Sequence, residues 1–160
     1  MQTLLPLAER AGALLKARGD TIAVAESSGG GLVSAALLTV PGASAYFRGG
    51  AVVYTRESRR ALLGITDAAL DAVPPNSEPL AALLAAAARD RLGATWGIGE
   101  TGAAGPTGNR YGHPAGRACL GVAGPAERSI TLETGSADRE ANMRLFGAEL
   151  LRLLIGALEV

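Results

Sequence analysis

Short apolar runs alternate with helical patterns through the first two thirds of the chain, glycine clusters mark the exits of those runs, and two later runs flank a Gly-Pro turn. These three observations predict an α/β fold. The expected architecture is a three-layer α/β/α single domain over residues 1–160, with a mixed, largely parallel sheet covered on both faces.

Each element has a local reason. Leu4, Leu7, Ala8, Ala11, Leu14 and Leu15 fall on one helical face, and Gly19 ends that helix. Thr21–Ala25 is apolar and rich in β-branched residues, which suits a buried strand. Glu26-Ser27-Ser28-Gly29-Gly30-Gly31 follows, then an apolar helix to about Thr39, broken by Pro41-Gly42. Gly49–Tyr54 reads as the second strand. Thr55 caps a short helix through Leu63, and Asp67–Ala72 forms a helical turn. Pro74-Pro75-Asn76 is a loop, and Ser77 caps an Ala/Leu-rich helix over Glu78–Leu92. Thr95–Gly99 is the third strand. A glycine-rich loop of about 16 residues, 99–116, leads to paired strands at Arg117–Ala123 and Arg128–Glu133. Ala137–Leu158 closes the chain as a long helix.

Composition narrows the function classes. The chain has 160 residues, 48% hydrophobic and 19% charged, enough to bury a core in one domain. Fifteen Lys+Arg balance fifteen Asp+Glu, so the totals predict neither a nucleic-acid nor a membrane partner. All of these cations are arginines except Lys16. One cysteine, Cys119, and one histidine, His113, exclude an internal disulfide and the usual metal clusters, so no metal is expected. The longest apolar run, Leu80 to Ala88, is far below the ~20 residues of a membrane span. The N-terminus lacks a signal-peptide pattern, and a cytoplasmic location is the expectation.

Four segments carry candidate chemistry. Glu26–Gly31 joins a buried strand to a helix through small residues, so backbone N–H groups and a positive dipole end meet there. A serine at such a turn serves as a nucleophile or as an N-cap. Glu26 is either a ligand-orienting carboxylate or one satisfied at the strand end. Arg48–Arg59 brings Tyr54 to a strand exit and Arg59 about one turn further on, where a phenol and a guanidinium suit an acyl or phosphate group. Their plainer reading is an interface tyrosine and a solvated arginine. Glu100–Gly116 is neither a Walker A loop nor a dinucleotide fingerprint, and its glycines suit a backbone-lined ligand wall or a hairpin tip. Arg110, Tyr111 and His113 add polar groups to it. Arg139 sits in the first turn of the last helix, where a cation opposes the helix dipole; it is a site residue or a surface arginine. Cys119 lies within a strand and reads as core.

Together these segments resemble the C-terminal domain family of CinA. The family's Ala-Glu-Ser-Cys-Thr-Gly-Gly is similar to Ala25-Glu26-Ser27-Ser28-Gly29-Gly30-Gly31, and its Pro-Gly-Ser-Ser…Phe-x-Gly-Gly-x-Val-x-Tyr to Pro41–Tyr54. Its Ser-Glu-Pro corresponds to Ser77-Glu78-Pro79, and its Thr-Gly-x-Ala-Gly-Pro to Thr101–Pro106. The resemblance covers nearly the whole chain. It implies amidohydrolase chemistry on the carboxamide of nicotinamide mononucleotide, giving nicotinate mononucleotide and ammonia. It implies Ser27 as nucleophile and Tyr54 as an assisting phenol, with Arg59 standing where the family has a general-base lysine. Glu26 joins them as a catalytic candidate. Ser28, Gly29, Gly30, Gly31, Arg48, Thr101, Gly102, Ala103, Gly105 and Arg139 are the candidate substrate-binding residues. No cofactor is implied; a small-molecule nucleotide ligand and self-association as a homo-oligomer are.

The Lys-to-Arg change has direct chemical content. A serine–lysine pair needs a neutral amine to accept the hydroxyl proton, and a guanidinium is not deprotonated in proteins. Arg59 suits an anion better than a proton. Two alternatives therefore stand beside the amidase: a nucleotide-binding or regulatory domain that has lost the reaction, and a hydrolase on a different amide or ester.

Overall fold

The computed structural model describes residues 1–160. In chain order the elements are α1 (Leu5–Arg18), β1 (Ile22–Glu26), α2 (Leu32–Thr39), a 3-10 turn (Ala43–Ala45), β2 (Phe47–Val52), α3 (Arg56–Leu63), α4 (Asp67–Asp71), α5 (Glu78–Leu92), β3 (Trp96–Ala103), β4 (Arg117–Ala123), β5 (Arg128–Glu133) and α6 (Arg139–Leu158). The five strands form one sheet in the order β2-β1-β3-β4-β5. β1 pairs in parallel with β2 and β3, whereas β4 is antiparallel to both β3 and β5. Four strands thus share one direction and β4 alone opposes it, giving the mixed, largely parallel sheet.

Both faces are covered. α1, α2 and α6 pack on one side, where Leu4, Leu15, Val24, Leu37, Ile98, Phe146 and Leu150 belong to a 24-residue apolar cluster. α5 crosses the other side over β1, β3 and β4, and Ala23, Ala25, Leu80, Leu84 and Ala88 lie in a nine-residue cluster there. This explains why all five residues of β1 are buried and why its sequence does not alternate.

Local chemistry sets several boundaries. Thr55 Oγ1 accepts from Ser58 N at 3.1 Å to start α3, and Ser77 Oγ accepts from Leu80 N at 3.2 Å to start α5. Two expectations are corrected. β3 extends to Ala103, because Gly97–Ala103 pairs with Ala123–Arg117, so the connecting loop is shorter than the sequence suggests and begins after Ala103. The last helix starts at Arg139, where the Asp138 carboxylate accepts from Ala141 N at 3.1 Å.

The topology locates a cleft. From β1 the chain moves to β2 on one side and then crosses to β3 on the other. Strand order reverses beside β1, and crevices at the carboxyl ends of such strands are where open α/β sheets hold ligands. No helix is long and apolar enough to cross a membrane.

Candidate active-site cleft

A cleft of about 790 Å³ opens at the carboxyl ends of β1, β2 and β3, within the size range of small-molecule sites. Ser27, Tyr54, Arg59, Thr101 and Gly102 line it together. The first follows β1, Tyr54 follows β2, Arg59 sits on α3, and the last two lie in β3. Thr101 and Gly102 lie at least 42 positions from Arg59 and at least 74 from Ser27 in sequence, and they meet only through the parallel pairing of β1 with its two neighbours.

Ser27 is 6% exposed, and its Oγ makes no hydrogen bond within the chain. Its N–H is held: Glu100 Oε2 accepts from Ser27 N at 2.9 Å and from Gly29 N at 2.8 Å, while Glu100 Oε1 takes the Ser28 hydroxyl. Glu100, only 1% exposed, therefore fixes the backbone of the turn that presents Ser27. Burial pushes its carboxyl above the ordinary value, against the hydrogen bonds and the Arg59 charge that lower it. The sequence signal for this residue was available but weak: a lone charge ending the apolar run of β3.

Glu26 has a comparable but separate task. Its Oε1 accepts from Val33 N at 3.0 Å, and its Oε2 accepts from Ser34 N at 3.1 Å and Ser34 Oγ at 3.0 Å. These donors belong to the first turn of α2, so Glu26 satisfies the helix start. Neither Ser27 nor Ser28 is the N-cap; Gly31 occupies that position with φ 94° and no side-chain bond. Burial also pushes the Glu26 carboxyl up, helped by the charge of Glu100. Gly29 separates the two acids: a Cβ there would sit 3.0 Å from Glu26 Oε1 and 3.1 Å from Glu100 Oε2.

The backbone donors of this turn are largely committed. Gly29 N–H goes to Glu100 and Gly30 N–H to Ser27 O at 3.2 Å. Ser28 N–H and Gly31 N–H make no bond within the chain. Ser28, Gly29, Gly30 and Gly31 do not line the cleft themselves. Gly102 does, and a Cβ on it would meet Ser28 Oγ at 2.9 Å.

Arg59 donates from Nε to Val53 O at 3.3 Å and has no carboxylate within ion-pair distance. Burial lowers its pKa while Glu100 raises it, and the group stays cationic. Arg56, by contrast, is paired with Asp67 and Asp71. Arg110 donates to Tyr111 Oη at 2.7 Å and lies 5.0 Å from that ring's centre. Tyr54 is 59% exposed at the mouth.

The other candidate residues lie elsewhere. Arg48 is exposed in the amino-terminal half of β2, at the opposite end of the strand from the cleft. Ala103 and Gly105 do not reach the cleft; Arg139 donates to Gly105 O and so ties the loop to α6. His113 does not line the cleft, and its Nδ1 is 3.1 Å from Nδ2 of Asn109, which does. Asn76, Arg56, Glu57 and Asn109 line the cleft without having been expected. No group of three or more His, Cys, Asp or Glu could hold a metal ion.

Fold and cleft define a three-layer α/β/α domain with a polar cleft at the carboxyl ends of its parallel strands. Residues 4–158 match the model of the CinA C-terminal domain, and the chain belongs to that family. A CinA-like protein of Anaeromyxobacter dehalogenans (strain 2CP-C) is 41% identical over 142 residues, covering 89% of this chain and 35% of that protein. One from Chlorobium limicola is 38% identical over 151 residues, covering 91% of this chain and again 35% of the relative. The chain thus spans about a third of the length of these curated relatives. Among solved structures, a competence/damage inducible protein, CihA, from Agrobacterium tumefaciens superposes with a TM-score of 0.89 at 28% identity, covering 99% of this chain and 96% of that one. A CinA superfamily protein from Klebsiella pneumoniae gives 0.89 at 26% identity, with 96% of both chains covered.

Proposed function

We propose that this domain is an amidohydrolase acting on the carboxamide of nicotinamide mononucleotide or a closely related compound, with Ser27 as the nucleophile. The observation that carries the reading is Ser27 Oγ itself: a hydroxyl with no partner in the chain, on a turn locked by Glu100, opening onto a cleft that also holds Tyr54, Arg59 and Thr101. Ser27 Oγ attacks the carboxamide carbon and forms a tetrahedral adduct. The N–H of Ser28, the residue following the nucleophile, is uncommitted and is assigned to the oxyanion, although the Ser28 side chain is turned to Glu100 rather than to the cleft.

With both Glu26 oxygens occupied by α2, the proton route falls to Tyr54. Its phenol accepts the Ser27 proton and passes its own to the amide nitrogen, which leaves as ammonia. Water then hydrolyses the acyl-serine ester, returns a proton to Ser27 and releases the carboxylate. Arg59, cationic and unpaired, holds the phosphate of the nucleotide.

Ammonia release from nicotinamide mononucleotide tests this, with Ser27→Ala as the control. The wild-type rate is expected to exceed the variant's by at least a thousandfold, since loss of a nucleophile leaves only binding contributions. Equal rates would remove the hydrolase assignment. A second reading has its own observation: with Arg59 where a base would be needed, a binding domain without turnover predicts calorimetric binding of the nucleotide and no ammonia.

A further inference from the structure

We propose that Asn76 is the specificity-determining residue of the cleft, its side-chain amide pairing with the planar primary carboxamide of the ligand. Nδ2 donates to the ligand's carbonyl, and Oδ1 accepts from its NH2 group. The inference deepens the amidohydrolase reading and rests on it for the substrate class.

The argument begins with satisfaction. Buried side-chain polar groups in folded proteins are nearly all hydrogen-bonded. Asn142 obeys this: its Nδ2 donates to Ala104 O and Ser136 O at 2.8 Å, and its Oδ1 accepts from Thr134 Oγ1 at 2.7 Å. Asn76 is 5% exposed, and neither its Oδ1 nor its Nδ2 has a partner. It is the only side chain with both a buried donor and a buried acceptor left open. It lies on the wall of the cleft that Ser27 and Thr101 also line, and neither of their hydroxyls is bonded within the chain. Two unpartnered hydroxyls and an unpartnered amide from three separate segments thus belong to the wall of one cavity, the amide atoms buried until the Asn76 side chain turns toward it.

The backbone beneath Asn76 is held from several sides. Pro74 and Pro75 precede it, Ser77 Oγ donates to Pro74 O at 2.6 Å and caps α5, and Asn76 O accepts from Cys119 Sγ at 3.4 Å. Its φ is 43°, in the left-handed region. That conformation accounts for a small or Asn residue, but glycine would serve it without burying an unpaired amide. A turn of the side chain toward the cleft gives both polar atoms a partner only when a ligand brings a matching donor and acceptor. A primary carboxamide supplies that pair in one plane, whereas a carboxylate supplies no donor and leaves Oδ1 unpaired.

The test uses the full chain and the variants Asn76→Gly, which keeps the left-handed backbone, and Asn76→Asp, which keeps the shape and removes the donor. Calorimetric titration uses nicotinamide mononucleotide, bare nicotinamide and ribose 5-phosphate, with thermal melting to confirm folding. Asn76→Gly is expected to bind the two amides about ten- to a hundredfold more weakly and ribose 5-phosphate within twofold of wild type. Asn76→Asp is expected to weaken amide binding to a similar extent. Unchanged amide affinity in Asn76→Gly overturns the proposal, as does an equal loss for ribose 5-phosphate or an absence of amide binding by the wild type. Ammonia release from the same samples separates the two readings. Asn76-dependent amide binding without turnover removes the hydrolase and keeps the amide clamp; turnover unchanged in Asn76→Gly does the reverse.

Discussion

Glu100 is the residue whose perturbation the structure predicts in most detail. Its carboxyl is buried and receives Ser27 N–H, Gly29 N–H and the Ser28 hydroxyl. All three are donors, and the two carboxyl oxygens accept from them: Oε2 from the two N–H groups and Oε1 from Ser28. Glutamine keeps the two N–H bonds through its oxygen, and its NH2 donates to Ser28 Oγ once that hydroxyl turns to accept. Alanine strands all three donors. At about 1 kcal/mol net for each bond, Glu100→Ala should cost roughly 3 kcal/mol. For a domain of this size that is a fall in Tm of about 6–12 °C. The pH dependence separates the variants further. Burial raises the folded-state pKa above the usual 4.5, while the unfolded chain ionises near that value. The folded protein therefore holds more protons above pH 4.5, and stability declines as pH rises until the folded-state carboxyl also ionises. Glu100→Gln lacks this decline. Its Tm should match wild type near pH 4.5 and exceed it increasingly at higher pH, and loss of the Glu100 charge, which helps to raise the Glu26 carboxyl, flattens the Glu26 contribution in the same direction. Differential scanning calorimetry from pH 4.5 to 8 measures this. Parallel Tm curves for wild type and Glu100→Gln, or equal melting of Glu100→Gln and Glu100→Ala, would refute the reasoning.

Arg59→Lys is expected to raise ammonia release from nicotinamide mononucleotide by about a hundredfold or more, because it supplies an amine that can deprotonate in the half-buried site. The gain should increase with pH through the lysine pKa, and a flat pH profile in an initial-rate assay would count against a proton-transfer role at position 59. Gly29→Ala places a methyl group 3.0 and 3.1 Å from the two buried carboxylates, so we expect a loss of about 1–3 kcal/mol in chemical denaturation. Glu26→Ala removes the acceptor for two N–H groups of α2 and should cost about 1–2 kcal/mol, without abolishing nucleotide binding in calorimetry.

Much of this molecule is written locally. Caps and breakers within a few residues set α3 and α5: Thr55 and Ser77 bond to N–H groups three residues on, and glycines end both helices. The buried run of β1 and the strand pair around Gly124-Pro125 are equally local, as is the turn that carries Ser27. Boundaries failed where partners decide them. β3 grew through Glu100–Ala103 because β4 supplies hydrogen bonds that no propensity encodes. The start of α2 went to Glu26 rather than to a serine because the strand end aims a carboxylate at the helix, which a cap rule based on residues just before the helix does not see.

The sequence by itself determined that a serine would stand between a buried strand and a helix, and that a tyrosine and an arginine would follow the next strand. These are consequences of chain order and of residue-level sterics. Only the tertiary structure decided which groups share a cavity. The parallel register of β1 with β2 and β3 brings Ser27, Tyr54 and Thr101 to one edge, and it sends Arg48 to the other end of its strand. Burial likewise is a property of the packed layers. Glu26 and Glu100 acquire raised pKa values, and Asn76 its unpaired amide, from neighbours far away in sequence that exclude water from them.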